Sequence, residues 1–347
     1  MKLREVRAQN IRNFGPDALP VSFVDEATDQ VRPLTVLVGS NGSGKTTLLE
    51  LIHGACLYAG PSARYTFTDE DESTENTIET FRTSLAPNGA AFSMRLQVPP
   101  FQGLHAPIDG PVHLDFLGRG PIRNIKLDPD TRRHWTAYVD QASRSKPEGG
   151  IVSFPANRFL SKQDKAAISK PEVSTSWLYR YTPSDEWEGS LEQLWVWQNY
   201  LDLEAQQAGR PSLLPFVTTI EEILGRGQTI KIQRGEVWIE RPQSGDRVRP
   251  HELPSGEQQV LLIFGELLRR LRPGAIVMID ELEMNLHPGL QRVVIHHLRR
   301  LAQKHDLQII VTTHSMEIVA ACDPSEIVNL DDMVFVEQAA WTAAEAQ

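Results

Sequence analysis

Cysteine is almost missing from this sequence of 347 residues. Cys56 and Cys322 are its only two, so neither a disulfide framework nor a cysteine-based zinc site can be built. Long apolar runs are missing as well. No stretch approaches the roughly 18–20 residues that span a bilayer, and the opening MKLREVRAQNIRNF lacks the apolar segment of a signal peptide. There is no excess of positive charge: 35 Lys and Arg stand against 45 Asp and Glu, a formal net charge of −10. That balance argues against bulk polyanion binding but leaves room for local basic patches. No internal repeat and no coiled-coil heptad run is found. With 40% hydrophobic and 23% charged residues, the composition excludes disorder as the dominant state. The expectation is a soluble, cytoplasmic protein with no membrane partner, long enough for one large or two modest domains.

Leu3, Val6 and Ile11 mark a strand-like opening that leads to Asn13-Phe14. Pro33–Gly39 (PLTVLVG) reads as a buried parallel strand, and Thr46 to about Leu57 as a helix with Leu48, Leu49, Leu51 and Ile52 on its buried face. The acidic stretch Asp69–Glu75 reads as a surface loop. Alternating segments at Ala91–Val98, Val112–Phe116 and Trp135–Val139 suggest an antiparallel sheet, and Ile151–Phe154 another short strand. Helix signals dominate Ser161–Gly225, best at Leu191–Leu203, and a hairpin is expected around Arg234-Gly235. From Leu253 to about Gln338 helix and strand patterns alternate. These readings divide the chain into a first lobe (1–160), a mainly helical insertion (161–227) and a second lobe (228–347).

Three motifs carry the chemistry. Gly39–Thr46 (GSNGSGKT) fits G-x-x-x-x-G-K-[ST] between a strand and a helix: glycines turn backbone N–H groups toward phosphates, and the helix start adds its positive dipole end. Lys45 is suited to neutralise β/γ-phosphate charge, and the Thr46 hydroxyl to complete a Mg²⁺ shell. Ala275–Glu281 (AIVMIDE) is an apolar strand that delivers two acids to a sheet rim, Asp280 for the metal and Glu281 to polarise a water. Leu253–Gln258 (LPSGEQ) starts a helix; Ser255 and Gln258 have capping-box spacing, and the same geometry makes an anion site. Leu307–Thr313 is a further apolar strand, ending at His314-Ser315. Twenty-five residues separate Ser255 from Asp280 and 34 separate Asp280 from His314; each gap suits one helix plus one strand, so these elements can meet along one sheet edge.

Together these residues resemble the ABC-type ATPases: GSNGSGKT as Walker A, LPSGEQ as the signature, IVMIDE as Walker B, Glu283–Pro288 (EMNLHP) as the D-loop region and TTHS as the H-loop. The resemblance is to the branch that holds the structural-maintenance-of-chromosomes (SMC), RecF-like and OLD-like ATPases, AAA-type ATP-binding proteins found in phage-defence loci. It implies an α/β ABC-ATPase head with a P-loop parallel sheet core, an antiparallel β subdomain and a mainly helical insertion. It also implies an ATP-dependent homodimer that sandwiches ATP and Mg²⁺. Nucleotide would be held by Gly39, Ser40, Asn41, Gly42, Ser43, Gly44, Lys45, Thr46 and Thr47 of one subunit and Ser255, Gly256 and Glu257 of the other. Thr46 and Asp280 would hold the metal, and Glu281, His314 and Lys45 would act in catalysis. Pro254 and Leu282 depart from the family pattern, which usually has a polar residue and a proline there. Gln97 and Gln102 are candidates for the Q-loop, with surface glutamines as the plainer reading. Arg158 is either a nucleotide- or partner-contacting residue or a surface arginine.

The middle of the chain carries two further features. Arg119, Arg123, Lys126, Arg132, Arg133, Arg144 and Lys146 fall within 28 residues, and Arg269, Arg270, Arg272, Arg299 and Arg300 crowd two helix ends. Such groups either contact a nucleic-acid backbone or form solvated faces and helix-end cations. Trp177, Tyr179, Tyr181, Trp187, Trp195, Trp197 and Tyr200 form a dense aromatic set, either the core of a small helical subdomain or a docking patch. No nuclease constellation follows the ATPase motifs. The expectation is therefore an ATPase acting as the sensor or regulatory subunit of an anti-phage complex with a separate effector such as a nuclease. The alternative is a RecF-like repair ATPase that clamps DNA.

Overall fold

The computed structural model describes residues 1–59, 72–86, 89–98, 112–117, 125–126, 135–139, 149–162, 169–171, 177–184, 186–187, 190–207 and 215–331. At its centre lies a six-stranded sheet, Leu178–Arg180, Ile151–Phe154, Ile276–Ile279, Gln308–Thr312, Leu34–Val38 and Ile327–Asn329 in spatial order, with every pair parallel. Its inner strands are apolar throughout because both faces are covered. Val277, Ile279, Ile309, Val311, Leu34 and Val36 point to one core; Ile276, Met278, Ile310 and Leu37 point to the other, as the two-residue period of a strand requires. The expected strand at Ile151–Phe154 thus lies beside the Walker B strand, and Leu178–Arg180, within the segment read as mainly helical, forms an edge.

The first face carries α3 (Leu191–Gln207), α4 (Pro215–Leu224), α5 (Ser255–Arg269) and α6 (Pro288–Lys304), with a three-stranded meander from Thr229 to Val248 that contains the expected hairpin. The second face carries α1 (Lys45–Ala59), α2 (Glu72–Ser84) and a five-stranded antiparallel sheet in the order Val21–Ser22, Lys2–Gln9, Ala91–Gln97, Val112–Leu117, Ile125–Lys126. The short helix α7 (Met316–Ala320) follows the Gln308–Thr312 strand. Gln308 ties the two sheets together: fully buried, its amide accepts from Leu3 N–H at 2.6 Å and donates to Leu3 C=O at 2.7 Å.

Two expected elements differ. Residues 135–139 are helical rather than a strand: Trp135, Tyr138 and Val139 are spaced i, i+3, i+4 and all are buried, with Trp135 edge-on to Trp177 at 5.7 Å. A helical period over five residues is easily mistaken for alternation. Glu72–Glu75 open α2 instead of a loop, because Ile78, Phe81 and Leu85 supply a buried helical face; residues 69–71 lie outside the described residues. The aromatic set divides between the two cores. Trp177 joins one, while Tyr181, Trp187 and Trp195 join the other, so these residues pack the main body rather than a separate subdomain. Trp197 and Tyr200 stack on each other at 5.4 Å, and Tyr200 is exposed.

Candidate active site

The loop Gly39–Gly44 links the strand Leu34–Val38 to α1 at the C-terminal edge of the parallel sheet, where α/β folds place ligands. Phe14 lies directly against it: a Cβ on Gly44, whose φ is +95°, would stand 2.7 Å from the Phe14 ring. Glycine is required there on both counts. Lys45 Nζ donates to Gly39 O and Ser40 O, each at 2.9 Å, and to Ser43 Oγ at 3.2 Å. Burial pushes its pKa below the ordinary lysine value, while the carboxylates of Asp331, Asp280, Glu283 and Glu281 pull the other way. Asp331 also anchors the loop, accepting from Ser40 N–H at 2.7 Å and from Ser40 Oγ at 2.8 Å.

The Walker B strand brings its acids to the same edge. Thr46 Oγ1 stands 2.9 and 3.1 Å from the two Asp280 carboxylate oxygens, so a hydroxyl and a carboxylate converge at the start of α1. These hard oxygen donors fit Mg²⁺, which takes one or two protein groups and fills its shell with phosphate and water. No cluster of three acidic, histidine or cysteine ligands occurs among the described residues, and a phosphate-bound magnesium does not need one. Thr312 Oγ1 donates to Asp280 Oδ1 at 2.6 Å and accepts from Glu281 N–H at 2.8 Å. Glu281 has φ +45°, a left-handed conformation that costs a side-chain-bearing residue about 1 kcal/mol or more.

The H-loop joins through Glu283, which accepts from Thr313 Oγ1 and from His314 N–H, both at 2.7 Å. His314 itself is exposed at this rim. Residues of Walker A, Walker B and the H-loop thus meet at one sheet edge.

Comparison with known proteins agrees with this geometry. Residues 198–320 match a family model described as "AAA domain, putative AbiEii toxin, Type IV TA system", and residues 5–97 match one described as "AAA domain". The chain is 23% identical to the retron Vc95 probable ATPase of Vibrio cholerae serotype O1 biovar El Tor, over 88% of this chain and 70% of that one. It is 28% identical to the Escherichia coli retron Ec83 probable ATPase, over 28% of this chain and 20% of that one. These similarities support an ATPase that resembles AAA-domain proteins. Its fold is that of an SMC head: a solved SMC head bound to the C-winged-helix domain of ScpA aligns with TM-score 0.51 and 14% identity, covering 95% of this chain and 94% of that one.

In this ATPase the signature lies at the start of α5, against the D-loop. Ser255 is the first residue of α5, and Pro254, at the cap position, provides no side-chain hydrogen bond. The expected capping box is not formed. The Gln258 amide instead donates to His251 O at 2.9 Å and Leu253 O at 2.8 Å, turning back along the incoming chain. Ser255 is exposed. Gly256 packs against the D-loop, where a Cβ would stand 2.9 Å from Asn285 O. The Glu257 carboxylate is engaged by Gln228 at 3.1 Å and Arg241 at 2.9 Å.

Other candidates fall elsewhere. Gln97 lies on the antiparallel sheet, in a cavity lined by Met1, Lys2 and Asp306, and Gln102 is outside the described residues. The segment that follows the strand beside Walker B is Pro155–Arg158. Its Asn157 lines a cleft of about 240 Å³ with Thr47 and Glu50 of α1 and with Arg180. Arg158 is not a surface arginine: it is 2% exposed. Arg269 and Arg270 pair with Glu266, and Arg270 stacks on Tyr179; Arg299 pairs with Glu326. Those charges are committed within the chain. Among the described residues no helix is long and apolar enough to cross a membrane. Sequence reasoning missed Thr312, Glu283, Asp331 and Gln259. Thr312 and Glu283 adjoin recognised motifs and could have been suspected; Asp331 and Gln259 carry no local signal.

Proposed function

We propose that this ATPase closes into an ATP-dependent homodimer in which each nucleotide is held by Walker A of one copy and by Ser255-Gly256 of the other. The observation that carries this reading is the state of α5. A 15-residue helix presents an exposed Ser255 and a first turn without a side-chain cap, a ready anion site, on a chain whose Walker A, Walker B and H-loop residues are already hydrogen-bonded to one another. In the assembled site Lys45 neutralises β/γ-phosphate charge. Thr46 and Asp280 hold Mg²⁺, which when bound supplies positive charge at the phosphate oxygens. Glu281 accepts a proton as water attacks the γ-phosphorus and the bond to the bridging β–γ oxygen breaks; His314 contacts the γ-phosphate. Glu257, held by Arg241 and Gln228, stands beside Ser255-Gly256 on the same signature turn.

The biological role we infer is a cytoplasmic sensor or regulatory subunit in anti-phage defence, acting on a separately encoded effector, with a nuclease as the favoured class. Support comes from two relatives whose names place an ATPase within a retron and from a family description that refers to a toxin–antitoxin system. The test is the solution mass of the Glu281→Gln protein by light scattering. A shift from monomer to dimer on adding Mg-ATP is expected, and a constant monomer would overturn the sandwich. Co-purification from the native host is expected to yield a stable partner; its absence would remove the effector.

A further inference from the structure

We propose that Arg158 is the positioning residue through which the signature helix sets the aim of the catalytic acid. Its guanidinium uses three directions at once. Nε donates to Gln259 Oε1 at 2.9 Å, Nη1 to Pro155 O at 2.9 Å and Asp280 O at 2.5 Å, and Nη2 to Glu281 O at 2.9 Å. Gln259 answers by donating from its amide to Arg158 O at 2.9 Å. Both side chains are at most 2% exposed.

Burying a charge without a contacting carboxylate is costly, and here burial pushes the guanidinium pKa down to about 10 despite nearby Asp280, Glu283 and Glu281. The arrangement makes sense as geometry. One rigid planar fork grips the consecutive carbonyls of Asp280 and Glu281, the peptide in which Glu281 takes its left-handed turn. A lysine offers a point charge and cannot span the same acceptors. Gln259 lies four residues after Ser255, one turn along the same face of α5. A displacement of Ser255 therefore moves Gln259 with it, and Gln259 is bonded twice to Arg158. The chain of contacts runs from Ser255 through α5 and Gln259 to Arg158 and the backbone that carries Glu281.

This inference rests on the sandwich reading, in which Ser255 meets the partner's nucleotide. It also makes a prediction that does not need the dimer, because the grip on the Asp280 and Glu281 carbonyls is internal to one chain.

The experiment compares wild type, Gln259→Leu, Gln259→Glu and Arg158→Lys for steady-state ATP hydrolysis across protein concentration, for affinity toward a fluorescent ATP analogue, and for thermal midpoint. Gln259→Leu is expected to keep wild-type nucleotide affinity and KM but to lose about tenfold to 10²-fold in kcat, the scale of a misplacement near 1 Å. Gln259→Glu retains an acceptor for Arg158 Nε and is expected to recover most of that loss. Arg158→Lys is expected to fall at least as far as Gln259→Leu. Wild-type kcat in both Gln259→Leu and Arg158→Lys overturns the proposal, as does a loss shared equally by affinity and kcat. If wild-type turnover per subunit does not depend on protein concentration and the protein stays monomeric with Mg-ATP in light scattering, the sandwich reading and the coupling from Ser255 both fall. The internal grip is then decided by Arg158→Lys alone, standing if kcat drops at unchanged KM and falling if it does not.

Discussion

Thr312 and Asp280 are joined by a 2.6 Å hydrogen bond in which the Thr312 hydroxyl donates to Oδ1. The same hydroxyl accepts from Glu281 N–H, so one buried side chain on the strand before the H-loop holds both Walker B acids. Thr312→Val keeps the shape but takes the side-chain acceptor from the partly buried Glu281 N–H and removes a bond to a carboxylate. The expected cost is about 1–3 kcal/mol of stability, together with slower turnover. Chemical denaturation and steady-state ATPase assays check both; an unchanged midpoint and rate would show that the bond does not hold the acids.

Glu281→Gln removes the proposed proton acceptor and preserves the side-chain shape. Nucleotide binding should persist while turnover falls by ~10²–10⁴. Turnover at the wild-type level in this variant sinks the assignment.

Lys45→Ala and Ser255→Arg separate the two halves of the nucleotide site. Lys45→Ala should weaken nucleotide affinity in the single subunit, since its ammonium is the loop's own cation at Gly39–Ser43. Ser255→Arg should leave that affinity intact and abolish ATP-driven dimerisation by filling the exposed start of α5. Titration with a fluorescent nucleotide and light scattering distinguish the two, and a dimer in Ser255→Arg would contradict the sandwich.

His53 gives a pH dependence of known sign. It is buried on α1, its Nδ1 has no hydrogen-bond partner among the described residues, and burial, with the Arg180 charge as the lesser cause, holds its pKa at about 3. The unfolded chain protonates this imidazole near 6.5 and the folded chain does not. Below that pH the unfolded state binds more protons, so stability is present above about 6.5 and is lost as pH falls toward 3. The slope is about 1.4 kcal/mol per pH unit. His53→Leu removes this contribution, and its advantage over wild type in urea unfolding should grow by about 2 kcal/mol between pH 7.5 and 5. Parallel pH curves would show that His53 protonates freely in the folded protein.

Much of this molecule was legible before any coordinates. An apolar strand that ends in GSNGSGKT, another that ends in Asp280-Glu281 and a third before His314 each declare themselves locally. A strand buried on both faces has to be apolar along its length, and a phosphate loop has to place glycines at set intervals. The gaps from Ser255 to Asp280 and from Asp280 to His314 each suit one helix plus one strand, which allows those motifs to share a sheet edge.

Tertiary structure decided the rest, because the remaining relationships join residues distant in the chain. Asp331 reaches Ser40 across 291 positions, and Gln308 reaches Leu3 across 305. Nothing local distinguishes either side chain from a surface residue. Arg158 shows the same limit most clearly. A strand followed by Pro-Ala-Asn-Arg is compatible with an exposed arginine, and only the packing of α5 against the Walker B turn buries it. Hydrophobic period and backbone conformation are written in neighbouring residues; a buried polar network is written in pairs that only the folded chain brings within reach.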